Sequence, residues 1–350
     1  MADVRRRVLI CGYGAFGALH AAAWRQVGGD VALMVADPGE EARARARADG
    51  IAEADIGAEP AALMERADLV DIVAPPALHL PLALQALDRG KPVLVEKPAV
   101  RTPEEADTLV GKVAATGLAA QVGLVLRCHP LTGRARALLA ERAIGNLLAF
   151  DGDFSGWKRM RADASILEND GVHFLDLMRF LAGAPPVAVD ARAASRLAGA
   201  VADDVRIEVA FGNGTSGHLR LGILAGGETE DPFVPGALTT KRLRLIGDKG
   251  NLILDFNRNR LFHGEVDYAP APGGWTVSPG AMRWEQVPGA TPSALLARSF
   301  RVFLDAAAGR GEPLCPVREG AWELARVLAG IERALARPVP APIAIGEGFP

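Results

Sequence analysis

The chain has 350 residues, with 39 Lys and Arg against 42 Asp and Glu, a formal charge of −3 with histidine neutral. At 49% hydrophobic it has the length for two domains and the apolar content for full-sized cores, which excludes a disordered chain, a collagen-like repeat and a small disulfide scaffold. Balanced charge gives no broad basic field for nucleic acid. Only six of the cations are lysines, so a lysine in a special context stands out, because its pKa shifts on burial where that of arginine does not.

Cys11, Cys128 and Cys315 lie far apart and form no CxxC pair, so neither a zinc ligand set nor a disulfide framework is readable. Arg5-Arg6-Arg7 and the uncharged run from Val8 to Trp24 superficially resemble a signal peptide. That run carries Gly12, Gly14 and Gly17, shows no convincing cleavage site, and is shorter than the ~20 apolar residues of a membrane helix. It reads as folded structure, and the expectation is a soluble, cytoplasmic protein with no membrane or nucleic-acid partner.

Strand and helix signals alternate through the first third. Apolar runs at Arg7–Cys11, Val31–Ala36, Leu69–Ala74, Pro92–Glu96 and Leu118–Leu124 predict strands. Helices are predicted at Ala15–Val27, Glu40–Asp49, Leu80–Asp88 and Pro103–Ala115. The arginines at 43, 45 and 47 suit a solvated helix face. This alternation indicates an α/β doubly wound parallel sheet. From about Leu147 the pattern changes to period two, in Leu148–Phe154, Val205–Phe211, Ser216–Ile223, Arg242–Ile246 and Asn251–Phe256. Turn signals at Gly212-Asn213-Gly214 and Gly247-Asp248-Lys249-Gly250 complete an antiparallel hairpin pattern. Helices are expected at Ile166–Leu181, Leu295–Ala307 and Arg318–Ala336, and Gly226–Leu238 and Val266–Pro292 read as long loops rich in Gly and Pro. The division falls near residues 123–130: a first domain at 1–125 and an α+β domain with a large, open, mainly antiparallel sheet at 126–350.

Gly12-Tyr13-Gly14-Ala15-Phe16-Gly17 is a G-x-G-x-x-G sequence between an apolar strand and a helix. In that context the first glycine permits the turn and the second lets the backbone approach a pyrophosphate. The third allows close helix packing, and the helix start at Ala15 and Phe16 turns N–H donors to the phosphates. Asp37, at the end of the next strand, is placed to bind a ribose 2′-hydroxyl. Its carboxylate repels a 2′-phosphate, and Pro38-Gly39 supplies no cation, so NAD is favoured over NADP.

Glu96-Lys97-Pro98 follows a strand whose carboxyl end faces the ligand crevice of a doubly wound sheet. Lys97 therefore points to the cofactor cleft. Asn169-Asp170-Gly171-Val172-His173 opens the helix of the second domain; Asp170 and His173, three apart, share a helix face, and Asn169 and His173, four apart, can also meet. In Gly156-Trp157-Lys158-Arg159-Met160-Arg161, Lys158 and Arg161 either receive an anionic substrate group, contact the cofactor pyrophosphate, or lie in a solvated loop.

The Gly-rich turn, Ala74-Pro75-Pro76-Ala77-Leu78-His79, Glu96-Lys97-Pro98 and Gly171-Val172-His173 with Phe174-Leu175-Asp176 occur in this order, followed by Asp203-Asp204 before a strand, Gly247-Asp248-Lys249-Gly250 and the final helices. Together they resemble the Gfo/Idh/MocA family, the glucose-fructose oxidoreductase and inositol dehydrogenase group. The resemblance implies a Rossmann domain followed by an open antiparallel sheet, with dimers or tetramers formed partly through that sheet. It implies that Lys97 and His173 are the proton-handling pair, and puts Pro75, His79 and Glu96 on the cofactor side. Family members commonly carry Asp four residues before this His, where this chain has Asn169 with Asp170 next to it. The family's Thr-Pro-Asn near the nicotinamide is altered to Ala74-Pro75-Pro76.

The expected activity is NAD-dependent hydride transfer at a hydroxyl/carbonyl group of a sugar, cyclitol or acidic sugar derivative, with His173 as general base, Lys97 stabilising the oxygen, and no metal required. A keto-sugar reductase, a redox-assisted glycosidase and a non-catalytic NAD- or sugar-binding regulator are the alternatives.

Overall fold

The computed structural model describes residues 6–28, 31–158, 165–197 and 202–337. Its first sheet has six parallel strands: β1 (Arg6–Cys11), β2 (Val31–Ala36), β3 (Ile56–Gly57), β4 (Leu69–Ile72), β5 (Val93–Val95) and β6 (Ala120–Val122). Their order is β3-β2-β1-β4-β5-β6. Helices α1 (Ala15–Val27), α2 (Glu40–Ala48), α3 (Pro60–Arg66), α4 (His79–Asp88) and α5 (Pro103–Thr116) connect the strands. Val8, Leu9 and Ile10 are fully buried, as a central strand covered by helices on both faces requires. The bounds of α1 and β2 match the sequence expectation. Two-residue β3 and seven-residue α3 escaped it, being too short to display a period.

The chain crosses to the second unit through α6 (Pro130–Ala140). There the elements are β7 (Leu147–Trp157), α7 (Val172–Ala182), β8 (Pro186–Ala194), β9 (Asp204–Phe211), β10 (Ser216–Gly222), β11 (Thr229–Glu230), β12 (Leu238–Gly247), β13 (Gly250–Asp255), β14 (Arg260–Ala271) and β15 (Gly274–Gln286). The order is β15-β14-β13-β12-β7-β10-β9-β8, with β11 added on β12, and only the β7–β10 pair is parallel. Helix α7 lies on one face of this sheet. Gly152 and Gly217 permit the approach, since a Cβ on either would come within 3.0 Å of Met178.

Val266–Pro292 is not the long loop expected. Most of it is the hairpin β14–β15, whose outer strand is exposed almost throughout. With neither face buried there is no apolar alternation to reveal the strands, and the Gly and Pro residues mark the hairpin turn and a bulge near Gly264. The helix expected at Ile166–Leu181 begins as a wide i→i+5 turn over Leu167–Gly171 before α7. The last helix likewise starts with a wide turn at Arg318–Glu323 and continues as α9 (Leu324–Leu335).

Helix α8 (Pro292–Ala307) returns to the first sheet and packs on α1. There Phe300 stacks on Trp24 at 4.4 Å between ring centroids, within a core that includes Leu296 and Phe303. Arg127 ties the two units together. Its buried guanidinium forks onto Asp176 of α7 at 2.5–3.2 Å and reaches Glu319 at 2.6 Å. Among the described residues no helix is long and apolar enough to cross a membrane.

Candidate active site

The Gly-rich turn between β1 and α1 takes the conformation its glycines allow. Gly12 has φ +98°, and a Cβ there would lie 2.8 Å from Ala74 N; a Cβ on Gly17 would lie 2.2 Å from Gly12 O. A Cβ on Gly14, by contrast, would meet no protein atom within 4 Å. The first and third glycines thus serve the turn and the helix approach, and the second leaves the backbone open to a ligand. The first turn of α1, with Ala15 and Phe16, directs its amide donors to the same side.

Asp37 follows β2 and accepts from Tyr13 N at 2.7 Å and from Gly39 N at 2.8 Å, so the acid is fixed against the turn. Nearby Arg43 is held by the carbonyls of Asp37 and Pro38 and by Glu40. This cradle, with an acid at the end of the second strand, fits an NAD dinucleotide.

Pro75 lies in the turn after β4. His79, at the start of α4, is buried with both ring nitrogens 2.7 Å from main-chain carbonyls, those of Ala74 and Pro98. It joins the turn after β4 to the turn after β5. Glu96 is also buried; its carboxylate accepts from Lys97 N at 3.0 Å and faces His20 Nε2 at 3.4 Å. His20 Nδ1 meets Asp71 of β4 at 2.9 Å, and Trp24 Nε1 donates to the same carboxylate at 2.7 Å. Burial opposes a charged His20, but Asp71 and then Glu96 outweigh it and raise its pKa to about 10. This network is not legible in the sequence, because a lone His on an apolar helix face and an Asp inside a strand have no partner to read.

Lys97 leaves the end of β5 and crosses to the second unit, where Nζ donates to the carbonyl of Asn169 at 3.0 Å. The wide turn over Leu167–Gly171 places Asn169 and Asp170 differently from an α-helix, and such turns are frequent at functional sites. Contrary to the shared helix face expected, His173 Nδ1 is buried without a hydrogen-bond partner among the described residues. Asp170 instead accepts from Lys158 Nζ at 2.5 Å and from Asn169 Nδ2 at 3.1 Å. Burial first, then the charges of Lys97, Lys241 and Lys158, hold the His173 imidazole well below its ordinary pKa. It is uncharged at neutral pH.

Arg161 lies outside the described residues. Lys241, Asp231 and Phe154 were missed. Lys241 stands on the inner face of β12 directly opposite Phe154 of β7, and its buried ammonium pairs with buried Asp231 at 2.7 Å. A signal existed: in period two Lys241 shares a face with Leu243 and Leu245, a core position for a charge. The strand expected from the sequence begins at Arg242, four residues inside β12, and so leaves Lys241 out. Among the described residues no group of three or more His, Cys, Asp or Glu is placed to hold a metal ion.

Residues 6–124 match the oxidoreductase family with an NAD-binding Rossmann fold, and residues 132–253 match the GFO/IDH/MocA C-terminal domain. UDP-N-acetylglucosamine 3-dehydrogenase of Acidithiobacillus ferrooxidans is 29% identical over 339 residues, 93% of this chain and 96% of that protein. The 1,5-anhydro-D-fructose reductase of Ensifer adhaerens is 27% identical over 324 residues, 89% and 91% of the two chains. An oxidoreductase from Agrobacterium radiobacter, solved with NAD+, L-tartaric acid and magnesium, superposes with a TM-score of 0.78 at 19% identity, over 95% of this chain and 97% of that one. The glycine cradle and both family domains agree: this chain belongs to the GFO/IDH/MocA family of NAD-binding oxidoreductases.

Proposed function

We propose that this protein is an NAD-dependent dehydrogenase acting on a secondary hydroxyl of a sugar, cyclitol or sugar acid. NAD, when bound, supplies the hydride acceptor. Gly12, Gly14 and Gly17 with the first turn of α1 hold the pyrophosphate, and Asp37 holds the ribose. Uncharged His173 takes the hydroxyl proton, and Lys97 donates to the same oxygen as negative charge builds on it. Residues 1–125 carry the cofactor, and 126–350 the substrate and the contacts between subunits.

The observation that carries this reading is the bond from Lys97 Nζ, on the cofactor sheet, to Asn169 O, on the turn that leads into His173. It joins the cation of one unit to the turn that leads into the base of the other. NADH absorbance measured with NAD and then NADP, across sugars, cyclitols, uronates and sugar phosphates, tests the reading. Turnover with NAD is expected, falling at least ~100-fold in Lys97→Ala and in His173→Ala while NAD still binds. Near-normal turnover in either variant would overturn the assignment.

A homodimer or homotetramer is part of the proposal. Strand β15 is a sheet edge with Trp275, Val277 and Met282 exposed, and a long apolar edge of this kind is ordinarily covered.

A further inference from the structure

Pro38-Gly39 brings no cation to the acid at the end of β2, but the fold does. Helix α2 starts at Glu40, and Arg43 on its first turn reaches back over that corner. The Arg43 guanidinium donates through Nη1 to the carbonyls of Asp37 and Pro38, each at 2.8 Å. The Asp37 carboxylate beside it accepts from Tyr13 N and Gly39 N. An arginine near the end of the second strand is what accommodates a ribose 2′-phosphate in NADP-binding Rossmann domains. A preference for NAD therefore needs more here than the absence of a cation.

Glu40 supplies it. Its Oε2 accepts from Arg43 Nη2 at 2.5 Å, and its Oε1 from Arg47 Nη1 at 2.7 Å. Arg47 is held a second time by Glu53, at 2.6 Å. Arg47 first, then Arg43, keeps the Glu40 carboxyl below the usual carboxylate range. The corner is open: the Glu40 side chain is 66% exposed. Beyond its chain neighbours, a Cβ on Gly39 would meet only Asp37 Oδ1 at 3.2 Å and Ala42 Cβ at 4.0 Å. A phosphate arriving there needs no cavity, only a cation that is not already taken. Exposed ion pairs of this kind add little stability, so their consequence lies in what the arginines are kept from binding.

We propose that Glu40 is a second determinant of cofactor choice: by occupying the Arg43 and Arg47 guanidiniums it withholds them from a ribose 2′-phosphate. This rests on the reading in which Asp37 holds the ribose, and extends the choice of NAD from one acid to two. Asp37 repels the phosphate directly; Glu40 disarms the cations that would receive it.

The test is binding of NADH and NADPH to the full chain, followed by fluorescence at fixed ionic strength, so that no substrate is needed. Asp37→Ser/Glu40→Gln is expected to bind NADPH at least about tenfold more tightly than Asp37→Ser, the scale of one charge-assisted contact. Adding Arg43→Gln to that double variant is expected to remove the gain, and Arg43→Lys to keep part of it. Asp37→Ser/Glu41→Gln is the control. It makes the same charge change one residue on, where the partner is Arg45 at 3.5 Å, and is expected to gain less than about threefold. Cooperative thermal unfolding shows that each variant is folded.

Equal NADPH affinity in Asp37→Ser/Glu40→Gln and Asp37→Ser overturns the role of Glu40. So does an equal gain in the Glu41 control, or a gain that survives Arg43→Gln. An Asp37→Ser variant with wild-type affinity for both cofactors overturns instead the ribose assignment, and the inference with it, so the two failures are separable.

Discussion

Lys97 Nζ, at the end of a strand of the first sheet, lies 3.0 Å from the main-chain oxygen of Asn169 in the second unit. The acceptor is a carbonyl, so the contact survives the replacement of the family's usual Asp by Asn. What changes is the support of the base. With Asp170 committed to Lys158, His173 Nδ1 has no described partner, and burial first, then the charges of Lys97, Lys241 and Lys158, keep its imidazole uncharged.

The Asp37 carboxylate is locked on Tyr13 N and Gly39 N, and the proposed function assigns it the ribose. Asp37→Ala is expected to weaken NAD binding ~10- to 100-fold, the range for losing a charged hydrogen-bond acceptor, and to narrow the preference over NADP. Titration of both cofactors by fluorescence checks this. Gly17→Ala places its Cβ against Gly12 O and is expected to lose NAD affinity together with thermal stability.

His20 makes stability depend on pH on the alkaline side. Its folded pKa of about 10 lies above the ordinary histidine value, so its contribution is complete below about 6.5 and is lost as pH rises through 10. Urea midpoints measured between these limits are expected to decline with pH in the wild type. In His20→Gln, which cannot titrate, that decline flattens; an unchanged slope would remove His20 as its source.

Arg127 is buried with two carboxylate partners, Asp176 and Glu319, in different elements. Arg127→Met leaves Asp176 buried and unpaired, which costs about 3–5 kcal/mol by analogy with other broken buried pairs. A clear drop in Tm is expected, with loss of activity only as far as unfolding goes. Calorimetry alongside turnover at low temperature separates the two.

The exposed edge of β15 predicts association. Trp275→Ser combined with Val277→Ser is expected to lower the mass seen by analytical ultracentrifugation, while single-subunit NAD binding persists. An unchanged mass would place the subunit contact elsewhere.

Much of the site was legible because its parts are local. Gly12, Gly14 and Gly17 act within one turn, Asp37 ends the next strand, and Lys97 sits at a strand end whose position follows from the alternation of β and α. Strands buried on one face, such as β9 and β10, announced themselves by period two. Beyond Val266 the β14–β15 hairpin did not, because both of its faces are largely exposed there and no burial distinguishes them.

Fold class and cofactor cradle were therefore decided by the sequence itself, through short-range geometry and hydrophobic period. The tertiary structure alone decided that His79 and Glu96 face inward to main chain and buried charge, that α8 returns to cover Trp24, and that Lys241 meets Lys158 across Phe154. These pairings link residues up to hundreds of positions apart. No local period encodes them; they exist only because packing two sheets and their helices brings distant side chains within hydrogen-bonding and ring-contact range.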